Sequence, residues 1–460
     1  MYLIGNGRVV SFDPERPFIE NGAVLTDGEL IAKVGETEAL LNECRDAEFI
    51  DASGGLIMPG FINAHTHFYS ALLRGAPAMG PSPASLIGSL RQRSWKEDRL
   101  LTFYDCVFAA YAGAMECIRN GVTSVFDHHA CSSGAKGTVI GAASTLKKAG
   151  IRACIAYETS MRCGFDVCTG EIKENDEFIS FCERDKSGLT AAMFGLHAPF
   201  TLGDQDIVCC VEANRGRTGF HIHVSEGLDD SYVCEHNYGV SPIMRLSRLG
   251  ILGERTLLAH CVRVSNEELR IIGDSGSFVV NAPQSNMSNA VGTAPVFEML
   301  GMGIPVCLGT DSFSHDMTES ARAFILAQRS RLGLPWAGAA EAAKLLFENN
   351  AKLASAYFGR TIGVLKAGAA ADVIILDHKP HTPINGDNAA SQIIFGASGR
   401  DCVMTMAAGK VLMRDGKLTT LNEDELKRKI SAASASLWER MKKDEGGDLQ
   451  PTFLPCEAEK

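Results

Sequence analysis

The sequence GFINAHTHFYSALLRG, residues 60–75, is the starting point for inferring the fold. It continues the apolar run GGLIMPG and places His65 and His67 one residue apart near the end of a strand-like segment. Side chains alternate between the two faces of a β-strand, so both imidazoles point the same way. Two imidazoles on one face can hold a metal ion, but this spacing also arises by coincidence. The rest of the sequence is needed to distinguish a metal site from a coincidental spacing.

Seven further apolar runs of strand length follow, with helical patterns between them. Short apolar runs that alternate with helical segments predict β/α units with parallel strands. Together with the run that ends at His67 there are eight, which favours a (β/α)₈ barrel over an open sheet. The other runs are residues 122–128, 151–159, 191–197, 219–224, 256–261, 277–283 and 304–311, and the helical patterns include 100–120, 241–252 and 337–359.

Both ends of the chain have a different pattern. The first 59 residues contain short alternating segments with NG and DG turns, which is typical of β-hairpins. Similar segments cover residues 363–377 and 402–418. We therefore predict one composite β-domain from residues 1–59 and 362–421, a barrel from residues 60–361, and a charged helix with an irregular tail in residues 422–460.

Composition excludes several classes of function. Of the 460 residues, 45% are hydrophobic and 22% are charged, which is typical of a globular protein with a sizeable core. A net charge of −11 argues against a nucleic acid or an anionic membrane surface as the main partner. No signal peptide and no membrane-spanning run are recognisable. The 15 cysteines form an odd, scattered set, which favours a reducing cytoplasm.

Polar residues with metal-binding or acid–base chemistry follow the predicted barrel strands. They are His65 and His67, then His221, His223 and Glu226, then His260, and finally Asp311. Active sites of such barrels lie where the strands end, so these side chains are expected to meet. A single histidine at a strand end is more often a structural residue than a ligand, and only the combination favours a metal site.

The residue types predict the chemistry. Imidazole and carboxylate ligands suit zinc, and they also fit iron or manganese. A metal-activated hydroxide needs a group that accepts its proton and passes it to the leaving group, and Glu226 is placed for this role. His260 can polarise the water or the substrate, and Asp311 can bind the metal and orient the water. His221 and His223 share one strand face, so either could be the ligand.

Several segments resemble the amidohydrolase superfamily, in its branch of single-metal deaminases and chlorohydrolases. The matching segments are PGFINAHTH, GVTSVFDHH, GLHAPFT, HIHVSEG, LLAHCVRVS, APQSN, GTDS, GVLKAGAAADVIILD and AAGKVLMRDGKL, and the resemblance runs in family order from about residue 3 to residue 418. DHHA, PQSNMSNAVG and GTDSFSHDM are most similar to the SsnA group of aminohydrolases. The resemblance implies an α/β fold, namely a distorted (β/α)₈ TIM barrel with a composite β-sandwich, and a homodimer.

The resemblance also implies roles for individual residues. It assigns one divalent metal ion, zinc first, to His65, His67, His223 and Asp311, with Glu226 as proton shuttle and His260 beside the nucleophilic water. Two-metal members usually bridge their ions with a carboxylated lysine after the fourth strand. This chain has His197 there and no lysine, so one metal is expected and His197 is expected to face the substrate.

The substrate-binding residues are predicted from weaker patterns. Arg162 lies in a Met-x-Arg segment that resembles guanine deaminases, where a guanidinium would bind a ring carbonyl, although a structural salt bridge is the alternative. His128 follows another predicted strand and is a second candidate. Asn286 is expected to line the pocket and His315 to close it.

These features support three hypotheses of function. The first is a hydrolytic deaminase that releases ammonia from a small nitrogen heterocycle, with purine-like rings favoured. The second keeps the metal and opens a cyclic amide or imide ring, or removes another leaving group as a chlorohydrolase does. The third is a metal-binding scaffold without activity, which predicts the loss of a catalytic residue, and none is lost.

Overall fold

Strands and helices alternate along most of the chain in the computed structural model, which describes residues 1–78, 80 and 83–444. Numbered in chain order, the strands are β1 (Tyr2–Val10), β2 (Phe18–Asp27), β3 (Leu30–Glu36), β4 (Glu48–Asp51), β5 (Leu56–Pro59), β6 (Phe61–Thr66), β7 (Val122–His129), β8 (Arg152–Tyr157), β9 (Thr190–Ala192), β10 (Phe194–Leu196), β11 (Phe220–Val224), β12 (Leu257–His260), β13 (Phe278–Asn281), β14 (Val306–Leu308), β15 (Val373–Leu376), β16 (Cys402–Ala407), β17 (Lys410–Arg414) and β18 (Lys417–Leu418).

The α-helices fall mainly between the strands of the middle region. They are α1 (Thr37–Glu43), α2 (Leu86–Ser89), α3 (Trp95–Leu100), α4 (Phe103–Arg119), α5 (Thr138–Ala149), α6 (Phe165–Arg184), α7 (Asp204–Asn214), α8 (Leu228–Tyr238), α9 (Pro242–Arg248), α10 (Asn266–Ser275), α11 (Pro283–Ser288), α12 (Val296–Gly301), α13 (Met317–Leu332), α14 (Ala339–Ala343), α15 (Asn350–Phe358), α16 (Ala389–Gly396) and α17 (Glu423–Lys443). Three 3₁₀ turns (Phe68–Leu73, Pro199–Thr201 and Gly399–Asp401) and two π-helical turns (Leu90–Ser94 and Lys344–Asn349) complete the helical segments. No helix of the described ranges is long and apolar enough to cross a membrane.

The barrel consists of two parallel sheets that close on each other. One sheet has the order β6-β7-β8-β9 and the other the order β10-β11-β12-β13-β14. Strands β9 and β10 are two halves of the fourth barrel strand, interrupted at Met193. Bridges between Thr159 and Leu196 and between Thr66 and Asp311 join the two sheets. The prediction of an eight-stranded barrel is therefore confirmed.

Burial explains why the barrel strands are apolar runs rather than alternating ones. Every residue of β6, β7 and β8 is buried, since a parallel sheet is covered on its outer face by helices and on its inner face by the other strands. Two of the helices on the outside of the barrel start at side-chain caps. Thr102 and Asp105 form a capping box at the start of α4, and Ser265 and Glu268 do the same at α10.

Both chain ends contribute to one nine-stranded sheet, as predicted. Strand β5 pairs antiparallel with β15, so that Pro59 faces Val373 and Leu56 faces Leu376. Strand β1 pairs with β4 through its first half and with β5 through its second half. We propose the domain division at residues 59/60 and 361/362, because β5 belongs to this sheet and β6 begins the barrel.

A buried ion pair connects the end sheet to the barrel. Arg152, the first residue of β8, donates from Nε and Nη2 to the Asp372 carboxylate at 2.9 and 3.2 Å. Both side chains are almost fully buried, so neither could lose its partner without leaving an unpaired charge in the interior. This pair fixes β15 against the amino-terminal end of the barrel strands, opposite the end where the predicted polar residues lie.

The C-terminal helix α17 packs across the barrel rather than extending away from it. Leu437 and Met441 are buried, and the Trp438 indole nitrogen donates to the Leu72 carbonyl at 2.8 Å. The predicted charged helix is thus present from Glu423 to Lys443. The predicted irregular tail lies outside the described residues, apart from Asp444.

Candidate metal centre and active site

Four side chains from three parts of the barrel meet at the carboxyl ends of its strands. His65 lies on β6, His67 follows that strand, His223 lies on β11, and Asp311 follows β14. The Nε2 atoms of His67 and His223 are 3.2 Å apart, and His67 Nε2 is 3.5 Å from Asp311 Oδ1. His65 Nε2 lies 3.8 Å from Asp311 Oδ2. All four residues are buried, so their donor atoms surround one point inside the protein.

Backbone carbonyls fix the ring orientation of two of these histidines. His67 donates from Nδ1 to the His128 carbonyl at 2.7 Å, and His223 donates from Nδ1 to the His197 carbonyl at 2.9 Å. A neutral imidazole that donates from Nδ1 has its lone pair on Nε2. The Nε2 atoms that face each other are therefore both electron-pair donors, which is the arrangement that a metal ion requires.

His65 supplies the third imidazole ring of the cluster. Its Nδ1 lies 3.0 Å from His221 Nε2, while its Nε2 is buried with no hydrogen-bond partner among the described residues. A buried polar atom without a partner is costly unless a ligand satisfies it. His221 thus contacts a member of the cluster instead of joining it, and its carbonyl oxygen receives a hydrogen bond from His128 Nε2 at 3.1 Å.

The protonation states also suit a cation. Burial lowers the pKa of His65 and His223 well below the usual histidine value, and it lowers that of His67 as well. Burial alone would raise the pKa of Asp311, but the neighbouring His67, His260 and His223 bring it down to about 2. Neutral imidazoles beside an ionised carboxylate are the ligand forms that bind a divalent ion. The cluster can therefore hold a metal ion such as zinc.

An acid–base pair borders this cluster. His260 Nε2 lies 3.6 Å from Glu226 Oε2 and 3.6 Å from Asp311 Oδ2. Its Nδ1 donates to Asn286 Oδ1 at 2.8 Å, and Asn289 Nδ2 donates to Glu226 Oε1 at 3.0 Å. Burial opposes protonation of His260, but Glu226, Asp311 and Asn286 outweigh it and raise the pKa of His260. One oxygen of Glu226 and one nitrogen of His260 are thus left to face the cluster.

Left-handed backbone conformations occur at the strand ends that carry these groups. His260 has a φ of 75°, Asp311 of 56° and Ser225 of 51°. Such angles are uncommon outside glycine and are maintained only where surrounding contacts enforce them. At Asp311 the backbone N–H donates to the His65 carbonyl at 2.9 Å, which ties β14 to β6 and directs the carboxylate toward the histidines.

A cavity of about 460 Å³ opens over the cluster, a volume suited to a small heterocyclic ligand. Two of the five predicted substrate-binding residues, Arg162 and His197, line it. Arg162 also forms the ion pair that was its structural alternative, because its Nη1 donates to Asp98 Oδ2 at 2.8 Å.

The other three predicted substrate-binding residues do not line the cavity as far as the described residues define it. His128 lies beneath the cluster, where its Nε2 binds the His221 carbonyl. Asn286 is turned toward His260. His315 Nδ1 lies 3.2 Å from Asn63 Nδ2, and its ring packs against Phe68. All three side chains contact neighbouring groups, and His128 Nδ1 also lies 3.4 Å from His223 Nε2 of the cluster.

Sequence reasoning missed an acidic residue that lines this cavity next to the cluster. Glu158 directly follows β8 and is buried between His67, His128, Arg162 and His197. Burial raises its pKa well above the usual glutamate value. The signal that could have identified it is the rule already applied to the other strands, since Glu158 is the first residue after a barrel strand.

Comparisons with known proteins agree with this architecture. Residues 56–412 match the Amidohydrolase family. The chain is 30% identical over 447 residues to a 5′-deoxyadenosine deaminase of Methanosarcina mazei, covering 95% of this chain and 99% of the relative. It is 30% identical to a 5-methylthioadenosine/S-adenosylhomocysteine deaminase of Carboxydothermus hydrogenoformans, covering 89% and 92%.

The fold is also found among solved structures. A zinc-bound adenosine deaminase of Xanthomonas campestris superposes with a TM-score of 0.82 and 22% identity, over 96% of this chain and 99% of that protein. At this identity the likeness concerns the fold. The family match spans most of the chain and includes the strands that carry His65, His223 and His260. This protein belongs to the amidohydrolase family.

Proposed function

We propose that this protein is a metal-dependent aminohydrolase that releases ammonia from a purine-like heterocycle. The observation that carries the proposal is the meeting of His65, His67, His223 and Asp311 at one point, with Glu226 and His260 beside them. The full-length similarity to deaminases of adenosine derivatives supports the choice of reaction and ring.

The proposed metal ligands are the Nε2 atoms of His65, His67 and His223 together with the Asp311 carboxylate. The donor set fits a divalent ion, because the Nε2 atom of His65 is buried with no partner in the part of the chain that the structure describes, and those of His67 and His223 are lone-pair donors only 3.2 Å apart. A bound ion of this kind supplies Lewis acidity and lowers the pKa of water. Zinc is the first candidate, with iron and manganese as alternatives.

The chain's own residues would move the proton. Asn289 holds Glu226 Oε1, so Glu226 Oε2 is the oxygen that accepts a proton from the attacking water and returns it to the departing amine. Asn286 holds His260 Nδ1, which directs His260 Nε2 toward the same point. The raised pKa of His260 favours a protonated ring that can donate a hydrogen bond to the developing negative charge.

The test is ammonia release by the purified, zinc-loaded protein. A panel of aminopurines, 5′-deoxyadenosine, pteridines and triazines is assayed with the metal content measured on the same sample. The proposal expects ammonia from one ring class, and only when metal is bound. A new carboxylate without ammonia would instead favour opening of a cyclic amide or imide, and no product at all from a fully metallated sample would contradict the proposal.

Three further properties belong to the proposal. We infer a homodimer, as the family resemblance implies, and measurement of the mass in solution tests it. We infer a cytoplasmic location, because the fourteen cysteines within the described ranges are all free thiols, and cell fractionation tests it. The proposed partner is the small heterocyclic substrate rather than a nucleic acid or a membrane.

A further inference from the structure

His128 has a ring nitrogen that faces the proposed metal ligands. The side chain is completely buried on β7, and its Nδ1 atom lies 3.4 Å from Nε2 of His223. One ring nitrogen of His128 and one each of His65, His67 and His223 all lie within 4.8 Å of one another. Four imidazole rings, rather than three, therefore surround this part of the site.

Backbone carbonyl groups fix the tautomers of the two rings that face each other. His128 donates from Nε2 to the His221 carbonyl at 3.1 Å, and His223 donates from Nδ1 to the His197 carbonyl at 2.9 Å. A carbonyl oxygen can only accept, so the proton of each neutral ring is on the nitrogen that faces its carbonyl. The atoms that face each other, His128 Nδ1 and His223 Nε2, therefore both have a lone pair and no hydrogen.

Two lone pairs that face each other cannot form a hydrogen bond. Glu158 Oε1 lies 3.5 Å from His128 Nδ1, which is too far for a good hydrogen bond in either protonation state of the carboxyl group. A buried polar atom that has no donor is costly unless a ligand satisfies it. The lone pair of His128 thus converges with that of His223 in the way that ligands of one metal ion do.

The distance between the two nitrogens fits coordination to one ion. Nitrogens bound to the same zinc ion at about 2.0–2.1 Å lie about 3 to 3.5 Å from each other. His128 Nδ1 and His223 Nε2 are 3.4 Å apart, and the Nε2 atoms of His67 and His223 are 3.2 Å apart. The pair that includes His128 therefore has the spacing of a pair of proposed ligands.

His128 and Asp311 border the cluster on different sides. Asp311 lies next to His260, with 3.6 Å between Oδ2 and His260 Nε2, whereas the His128 ring stacks on the His221 ring with 4.3 Å between their centres. The ring of His65 lies between these neighbours and contacts both His221 and His260. Coordination by His128 is therefore compatible with coordination by Asp311.

We propose that His128 is a fifth protein ligand of the metal ion and binds it through Nδ1. The ion then has four imidazole ligands and one carboxylate ligand. A six-coordinate ion with these ligands keeps one position open, and iron, manganese and cobalt accept this coordination number. This inference rests on the proposed metal-dependent function and adds a residue to its ligand set.

Proton NMR of the full-length, cobalt(II)-substituted protein tests the ligand set in solution. Paramagnetic cobalt shifts the N–H proton of each bound imidazole far outside the normal proton range, and histidine-selective ¹⁵N labelling identifies these resonances. We expect four of them, one each from His65, His67, His128 and His223. Three resonances would overturn the proposal. This count needs no substitution, so it does not depend on the folding of a variant.

His128→Gln distinguishes a ligand from a structural residue. Glutamine places its amide nitrogen near the position of Nε2 and can keep the hydrogen bond to the His221 carbonyl, but it has no ligand atom at the position of Nδ1. We expect the loss of one shifted resonance and a fall in cobalt affinity of at least about tenfold. An unchanged number of shifted resonances in His128→Gln would overturn the proposal.

His129→Gln is the matched control. His129 is the next residue of β7 and is also buried, but its Nε2 lies 3.1 Å from Thr138 Oγ1 instead of facing the cluster. This variant should keep all four resonances and the cobalt affinity of the unsubstituted protein. A loss of one resonance in His129→Gln as well would show that the effect is not specific to His128 and would contradict the proposal.

The outcomes separate this inference from the proposed function. Three shifted resonances in a protein that releases ammonia would support the proposed function and overturn the fifth ligand. Four resonances, one of them lost in His128→Gln, in a protein that releases no ammonia from any compound would support the fifth ligand and contradict the proposed reaction. A protein that binds neither cobalt nor zinc would contradict both.

Discussion

Asn286 Oδ1 accepts a hydrogen bond from His260 Nδ1 at 2.8 Å, and this contact sets the direction in which His260 acts. The opposite ring nitrogen faces Glu226 and Asp311, each at 3.6 Å. Asn286 itself lies outside the cavity wall that the described residues form, so it is a positioning residue rather than a substrate contact. Its effect on the reaction must pass through His260.

The first prediction concerns this positioning contact. Asn286→Leu removes the acceptor, and we expect kcat to fall by about 10- to 100-fold with little change in KM, as is typical when an orienting partner of a functional histidine is lost. Asn286→Asp keeps the acceptor and adds a negative charge, which favours the protonated ring and moves the His260 limb of the pH–rate profile to higher pH. An unchanged kcat in Asn286→Leu would contradict the positioning role.

The second prediction concerns metal binding. His65→Ala removes a cluster histidine whose Nε2 has no hydrogen-bond partner among the described residues, and we expect metal affinity to fall by more than about 100-fold, beyond what outer-shell substitutions cost. Metal content after dialysis, measured by atomic emission, checks it. His315→Gln is the control, because that buried histidine contacts Asn63 and Phe68 instead. A His65→Ala protein that keeps one metal per chain would exclude His65 as a ligand.

The third prediction concerns acid stability. Burial lowers the pKa of His129 to about 3, whereas a histidine in an unfolded chain titrates near 6.5. Between these values the unfolded chain binds one proton more than the folded chain, so the free energy of unfolding falls by about 1.4 kcal/mol for each unit of acidification. His129→Gln should therefore flatten the pH dependence of the free energy of unfolding by about this amount between pH 4 and pH 6.

Urea unfolding at several pH values measures this slope. The exposed His381→Gln variant is the matched control and should keep the slope of the unsubstituted protein. If His129→Gln and His381→Gln give the same slope, buried His129 is not the source of the acid sensitivity.

The fourth prediction concerns the C-terminal helix. Trp438→Phe removes the hydrogen bond to the Leu72 carbonyl, and we expect a loss of about 1 kcal/mol in the free energy of unfolding. The turn that ends with Leu73 also carries Tyr69 and Ser70, which line the cavity, so KM should rise as this turn loosens. Unfolding and steady-state assays on the same preparation check both effects. Unchanged stability would show that this hydrogen bond contributes nothing net.

Much of the fold followed from local pattern. The barrel was predictable because each parallel strand is buried on both faces and therefore appears as a continuous apolar run, such as residues 122–128. The interruption at Met193 could not be predicted, because a break inside the fourth strand leaves the sequence there apolar. The packing of Trp438 against Leu72 joins residues 366 positions apart and has no local signature.

In the candidate site, too, some features could be predicted from the sequence and others could not. Strand ends of a barrel share one face, so His65, His67 and Asp311 could be expected to meet a histidine of β11, but the choice of His223 over His221 came from the family resemblance. The direction in which each side chain points could not be predicted from the sequence. His128, Asn286 and His315 lie near the site but turn toward the His221 carbonyl, His260 and Asn63, respectively. Glu158 lines the same cavity as Arg162, with its Oε2 3.5 Å from Arg162 Nη2, and was not predicted as a site residue.

The measurement that tests the account most directly is ammonia release by Glu226→Gln with its metal content determined on the same sample. Glutamine keeps the shape of the side chain but cannot carry the proton, and Glu226 is not among the proposed ligands. The account predicts one metal ion per chain and a kcat at least about 100-fold below that of the unsubstituted protein, the range typical of a lost acid–base group. A fully metallated Glu226→Gln protein that releases ammonia at the original rate would contradict it.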